Sequence, residues 1–207
     1  MTEGWTMSRN RSTANLLGLA VLSYLTQGPR HPYELSREMR GHGDERSIKF
    51  NHGSLYMVFQ QLTKAGFIEP AGSSREGQRP ERTEYRLTEA GRTELGVWLN
   101  ELVAEPRHEY PSYVAALSLI AALTPTEAVA ALRRRLEGLA RQRAEAVALI
   151  EQADADGVHP LFLVEEEYRR AQLDADIAFT ERFIARIEDP DNGWAPQWNE
   201  FHRRHTP

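Results

Sequence analysis

Ser54, Tyr56, Gln60, Gln61 and Lys64 fall in one short segment and carry a hydroxyl, a phenol, two amides and a cation. Such a set suits a duplex nucleic acid. Hydroxyl, phenol and ammonium can bond phosphate oxygens, and glutamine amides can pair with base edges in the major groove. If the segment opens a helix after Asn51-His52-Gly53, the free amides of its first turn favour an anion as well. The bland alternative is a solvated helix face. A second group, Arg75, Gln78, Arg79 and Arg82, lies in or beside the turn-rich stretch from Gly72 to Pro80. Arginines on such a loop can grip phosphate or enter the minor groove. A mobile polar loop would have the same composition.

These groups need elements to position them. The apolar residues Leu55, Val58, Phe59 and Leu62 recur at helical spacing and place the polar set on the opposite face, and Gly66 ends the helix. Before it, Ser12 or Thr13 can cap a first helix running through Leu16 to Leu25, which stops at Gly28-Pro29. A second helix starts at His31-Pro32, with proline in its first turn, and ends in the Gly41/Gly43 loop. After Gly66 the period changes. Phe67–Glu69 and Thr83–Leu87 read as short strands joined by the arginine-bearing loop. Three helices followed by such a hairpin are the order of a winged helix-turn-helix. Thr88 then caps a fourth helix through Leu95, Trp98, Leu99 and Leu102.

Glu105-Pro106 and Pro111 mark a boundary, so residues 12–105 are expected to form the winged helix and residues 112–188 a helical domain. Beyond a short helix from Ser112 to Leu123, Thr124-Pro125-Thr126-Glu127 is a capping box. It opens a long helix whose seam runs from Val129 to Ile150, interrupted by Arg143; a last helix spans about Leu161 to Ile187. Two long amphipathic helices need partners for their apolar faces. An intrachain hairpin would provide them, as would pairing with a second chain. The remaining segment, 189–207, is an aromatic tail with Trp194, Trp198 and Phe201 that either folds back or clasps a partner.

The fold class expected is therefore mainly α with a small β-hairpin wing, in a chain of 207 residues. The net charge of −5 is unevenly shared. Between residues 7 and 92, Lys and Arg outnumber Asp and Glu by 13 to 9, so the acidic excess lies in the remainder and the first half is the part suited to phosphate. The absence of cysteine excludes disulfides, thiolate metal sites and a cysteine nucleophile. The apolar stretch Leu16–Leu25 is broken and too short to span a bilayer, so a soluble, cytoplasmic protein without membrane contact is expected. No phosphate-cradling glycine motif, nucleophile elbow or metal-hydrolase pattern is present, which argues against an enzyme, and no cofactor is expected. His202-Arg203-Arg204-His205 is a poor ligand set for a metal, and Arg133-Arg134-Arg135 reads as a solvated face.

The sequence resembles the PadR family of transcriptional regulators. The likeness rests on the Leu16–Leu25 helix, His31-Pro32-Tyr33-Glu34-Leu35, Gly53-Ser54-Leu55-Tyr56, Leu62 with Ala65-Gly66-Phe67-Ile68, and Tyr85 to Arg92. The region from Leu117 to Ile187, with Leu123-Thr124-Pro125, is similar to the longer C-terminal domain of the subgroup related to virulence-gene activators. One departure is Pro32, where the family usually has glycine. The resemblance implies a homodimer paired through the C-terminal helices; because a two-fold dimer presents two copies of the helix beginning at Ser54, an inverted-repeat operator in double-stranded DNA is expected. It implies repression relieved when a small molecule binds or by another switch. It also offers a role for Trp98, since some members stack flat aromatic ligands on a tryptophan at the dimer interface; a tryptophan among leucines is otherwise core. Two other functions remain open: a winged-helix adaptor that binds protein and not DNA, and a regulator of the MarR type, whose long N-terminal helix is hard to find before Leu16.

Overall fold

Leu17, Leu19, Ala20, Val21 and Leu22 bury most of the circumference of the first helix, α1 (Leu16–Tyr24), which a short 3-10 turn extends to Gln27. The computed structural model describes residues 16–74 and 82–205, so the expected caps Ser12 and Thr13 lie outside the described residues. Helix α2 (Pro32–Gly41) begins as proline at the first helical position allows; His31 caps it, its Nδ1 accepting from the Tyr33 amide at 3.1 Å. Leu35 and Met39 carry its buried face. Helix α3 (His52–Lys64) buries Leu55, Val58, Phe59 and Leu62, the face that the spacing predicts.

Strands β1 (Ile68–Ser74) and β2 (Arg82–Leu87) pair antiparallel, with an irregularity between Pro70 and Gly72. The hairpin therefore reaches further than its apolar residues indicate. Ala71 to Ser74 has no alternation to read, yet Ser74 still pairs with Arg82. The base of the hairpin is tied on two sides. Arg30 and Tyr85 exchange both backbone bonds at 3.0 Å, and Thr88 bonds Phe67 O through its amide and Gly66 O through its hydroxyl. Thr88 also caps helix α4 (Glu89–Ala104), receiving the Gly91 amide at 3.0 Å. These elements share one core, which includes Phe59, Leu22, Ile68, Leu95 and Trp98.

The chain divides into two compact units, the first ending at His108 and the second beginning at Glu109. In the second, the expected Ser112–Leu123 helix is α5 (Ser112–Ser118) followed by a 3-10 turn, Ile120–Ala122. Helix α6 (Pro125–Ala155) opens with the capping box, Thr124 and Glu127 satisfying each other's amides. Bonds from the Thr124 amide and hydroxyl hold the Glu127 carboxyl below the ordinary carboxylate range. Helix α7 (Val164–Glu188) runs back along α6, and Val129, Leu132, Ile184 and Ile187 make a buried cluster between them. Ion pairs flank the seam: Arg133 with Glu188, Arg135 with Asp176, and Arg143 with Asp174. The charge that interrupts the α6 seam is thus matched across the hairpin. The exposed Arg133 and Arg143 pairs contribute little each, on the order of 0–1 kcal/mol, so the apolar cluster carries most of the association.

The aromatic tail forms helix α8 (Ala195–His205) and folds back onto its own unit. Trp198 packs on the α6–α7 cluster, and its Nε1 donates to Leu123 O at 2.8 Å; His202 Nε2 lies 2.6 Å from the same oxygen. Among the described residues no helix is long and apolar enough to cross a membrane.

Candidate nucleic-acid interface

Because Leu55, Val58, Phe59 and Leu62 anchor α3, the residues a half-turn away must face outward. Tyr56, Gln60 and Lys64 recur every fourth residue along that outward side, with Met57 and Gln61 on an adjoining row. All five are exposed, Tyr56 by 44%. Four of the five residues expected in this segment therefore share one accessible face.

Ser54 has a different place. It is half-buried in the helix cap: its amide donates to Asn51 Oδ1 at 2.8 Å, and its hydroxyl accepts from the Asn51 amide at 2.8 Å and lies 2.9 Å from Asn51 O. The hydroxyl thus holds the helix start and fixes the orientation of its first turn. The spacing Asn51-x-x-Ser54 is itself a capping signal. Arg75, Gln78 and Arg79 lie outside the described residues; Arg82 is placed in β2 opposite Ser74.

The structure adds neighbours that the spacing argument did not select. Tyr33, at the start of α2, stacks on His52 at the start of α3, with ring centroids 5.8 Å apart and planes 5° apart. His31 meets Tyr56 edge-on at 6.4 Å, and Arg40 Nη1 lies 3.4 Å from His52 Nε2. The N-termini of α2 and α3 thus present aromatic and imidazole groups beside the exposed face of α3. Only the three-dimensional crossing of the two helices brings His31 and Tyr33 there. Nearby, Tyr24 Oη donates to Asp44 at 2.7 Å; burial first, and then that carboxylate, hold its phenol well above the ordinary range. This bond ties the end of α1 to the loop after α2.

Trp98 is buried at 7% exposure in the core of the first unit. In that setting it packs α4 onto the rest of the domain, the structural role that its leucine neighbours suggest.

Residues 21–97 match the model of the transcriptional regulator PadR-like family. Among solved structures, Bacillus subtilis PadR in complex with operator DNA is similar with a TM-score of 0.67 and 21% identity, over 82% of this chain and 98% of that one. The same organism's PadR in complex with p-coumaric acid gives a TM-score of 0.64 and 20% identity, over 85% and 97% of the two chains. A PadR-like transcriptional regulator from Bacillus cereus gives 0.58 and 15%, over 84% and 99%. No curated protein matches the chain significantly. At these identities the solved structures speak for the fold, and the family model speaks for the domain. Residues 21–97 are therefore a PadR-like domain, with the wing of that fold and a helical C-terminal unit after it.

Proposed function

We propose that the protein is a dimeric, sequence-specific DNA-binding transcriptional regulator, a repressor relieved by a small-molecule effector. The observation that carries this reading is the exposed face of α3, where Tyr56, Gln60, Gln61 and Lys64 stand opposite a wholly apolar buried face. In a winged helix-turn-helix that face enters the major groove. The likeness to a regulator solved with operator DNA supports it, and the relative solved with p-coumaric acid supports an effector. Gln60 and Gln61 read bases, Tyr56 and Lys64 contact phosphate, and Ser54 sets the first turn. Arg75, Gln78, Arg79 and Arg82 serve the wing's contact with backbone or minor groove.

A two-fold dimer presents two copies of α3, so the operator is an inverted repeat. Copies entering successive major grooves on one side place the half-site centres about 34–36 Å apart. Selection from random duplexes tests this on the parent chain and on Gln60→Ala and Gln61→Ala. The variants are expected to lose preference at symmetric positions, each lost amide pair giving up about 1–3 kcal/mol of discrimination while non-specific affinity holds. An asymmetric single site, or unchanged preference in both variants, would put another surface on the DNA.

Lys64→Ala is expected to weaken binding on every sequence. The slope of log affinity against log salt should become shallower by about 0.9 for the lost phosphate contact. An unchanged slope would remove Lys64 from the backbone contacts, and an intact chain showing no salt-dependent duplex binding would favour a protein-binding adaptor.

A further inference from the structure

Within the second unit, α5, α6 and α7 border a cleft of about 890 Å³, a size suited to a small organic ligand. Leu139 and Leu173, both buried, give it apolar surface. Arg134, Arg135 and Arg169 supply three guanidinium groups. Arg169 is paired with Glu166 at 3.2 Å and Arg135 with Asp176 at 2.9 Å. Arg134 has no ion pair among the described residues, which leaves the cleft with a cation in excess.

One part of the lining is incompletely bonded. The Arg135 guanidinium lies 3.3 Å from the centroid of the Tyr113 ring, and Tyr113 Oη and Arg135 Nε are both buried without a hydrogen-bond partner. Buried donors without partners are uncommon and costly. The two contacts that hold Arg135 in place, a partly exposed ion pair and a ring stack, are weak enough to yield. Once Arg135 leaves the ring, a phenol O–H and a guanidinium N–H become available beside Arg134. A carboxylate is acceptor-only and takes several such donors at once, including a bidentate guanidinium.

We propose that this cleft binds an organic carboxylate with an apolar body, its charge held by Arg134, Arg135 and the Tyr113 hydroxyl and its body set against Leu139 and Leu173. The binding itself needs no DNA; only its meaning as an effector site rests on the proposed regulatory function.

Calorimetric titration of the full chain with 3-phenylpropanoate and with the neutral 3-phenylpropanamide tests it. The acid is expected to bind at least about tenfold more tightly, the effect of one charge-assisted bond. Arg134→Gln should erase most of that difference. Tyr113→Phe should weaken the acid, and it should leave the melting temperature of the unliganded chain unchanged or higher, since it removes a buried hydroxyl that has no partner. Equal binding of acid and amide, no binding of either, or undiminished acid binding in both variants would overturn the site. So would a change in self-association of Arg134→Gln without acid binding, which would assign the cleft to a second copy of the chain. Footprinting of the parent separates the two ideas. Operator binding without acid binding removes only this site, and acid binding without operator binding removes only the regulatory reading.

Discussion

Gly91→Ala should destabilise the first unit by roughly 3 kcal/mol or more, at the upper end of overpacking effects, because the added methyl has nowhere to go. A Cβ at Gly91 would fall well inside the van der Waals radius of the Phe67 carbonyl oxygen and 2.8 Å from Leu87 Cδ1. That oxygen cannot move freely, since it accepts the Thr88 amide at 3.0 Å and so helps hold the hairpin base to α4. Gly96, further along the same helix, is the matched control. It is exposed, and a Cβ there meets nothing within 4 Å. Gly96→Ala should stabilise the helix by about 0.5–1 kcal/mol through lower chain entropy in the unfolded state. Hydrogen exchange of the α4 and β2 amides reports the opening of this unit by itself. Protection in Gly91→Ala equal to the parent would show that the close approach has been misjudged.

Phe162→Glu should dissociate the proposed dimer and lower operator affinity by about a hundredfold or more, the scale on which a second tethered contact strengthens binding. The start of the α7 region leaves Leu161, Phe162, Val164 and Tyr168 largely exposed, Phe162 by 69%. Apolar side chains grouped in this way mark an interaction surface. Phe162 is not part of the buried α6–α7 cluster, so the unit's own stability should be little affected by the change. Sedimentation and footprinting of the same preparation separate the effects. A variant that remains dimeric with parental operator affinity would move the pairing surface elsewhere.

The parts of this architecture legible in the sequence are those that local periodicity controls. The buried and exposed faces of α3 follow from Leu55, Val58, Phe59 and Leu62 alone, and the Thr88 and Thr124 caps follow from residue type and position. The parts missed depend on distant groups. Helix α8 has few apolar residues of its own, and its seat is set by Trp198 and His202 reaching Leu123, which lies before α6. The outer pairs of the hairpin, Gly72 to Ser74, are glycine and serine, whose side chains mark neither face. Ser54 shows a different limit: its hydroxyl has two competing uses, and the backbone of Asn51, three residues away, takes up one of them. The stack of Tyr33 on His52 joins two helices that no linear pattern relates.

The double tie at the base of the hairpin has a mechanical consequence. Arg30 locks β2 to the entry of α2, and Thr88 locks the turn between α3 and β1 to the entry of α4. A hinge placed there would have to break several backbone bonds in one movement, so α3 and the inner half of the wing behave as a single stiff jaw. In the proposed regulator, a duplex whose groove spacing does not match this jaw must itself deform to be bound.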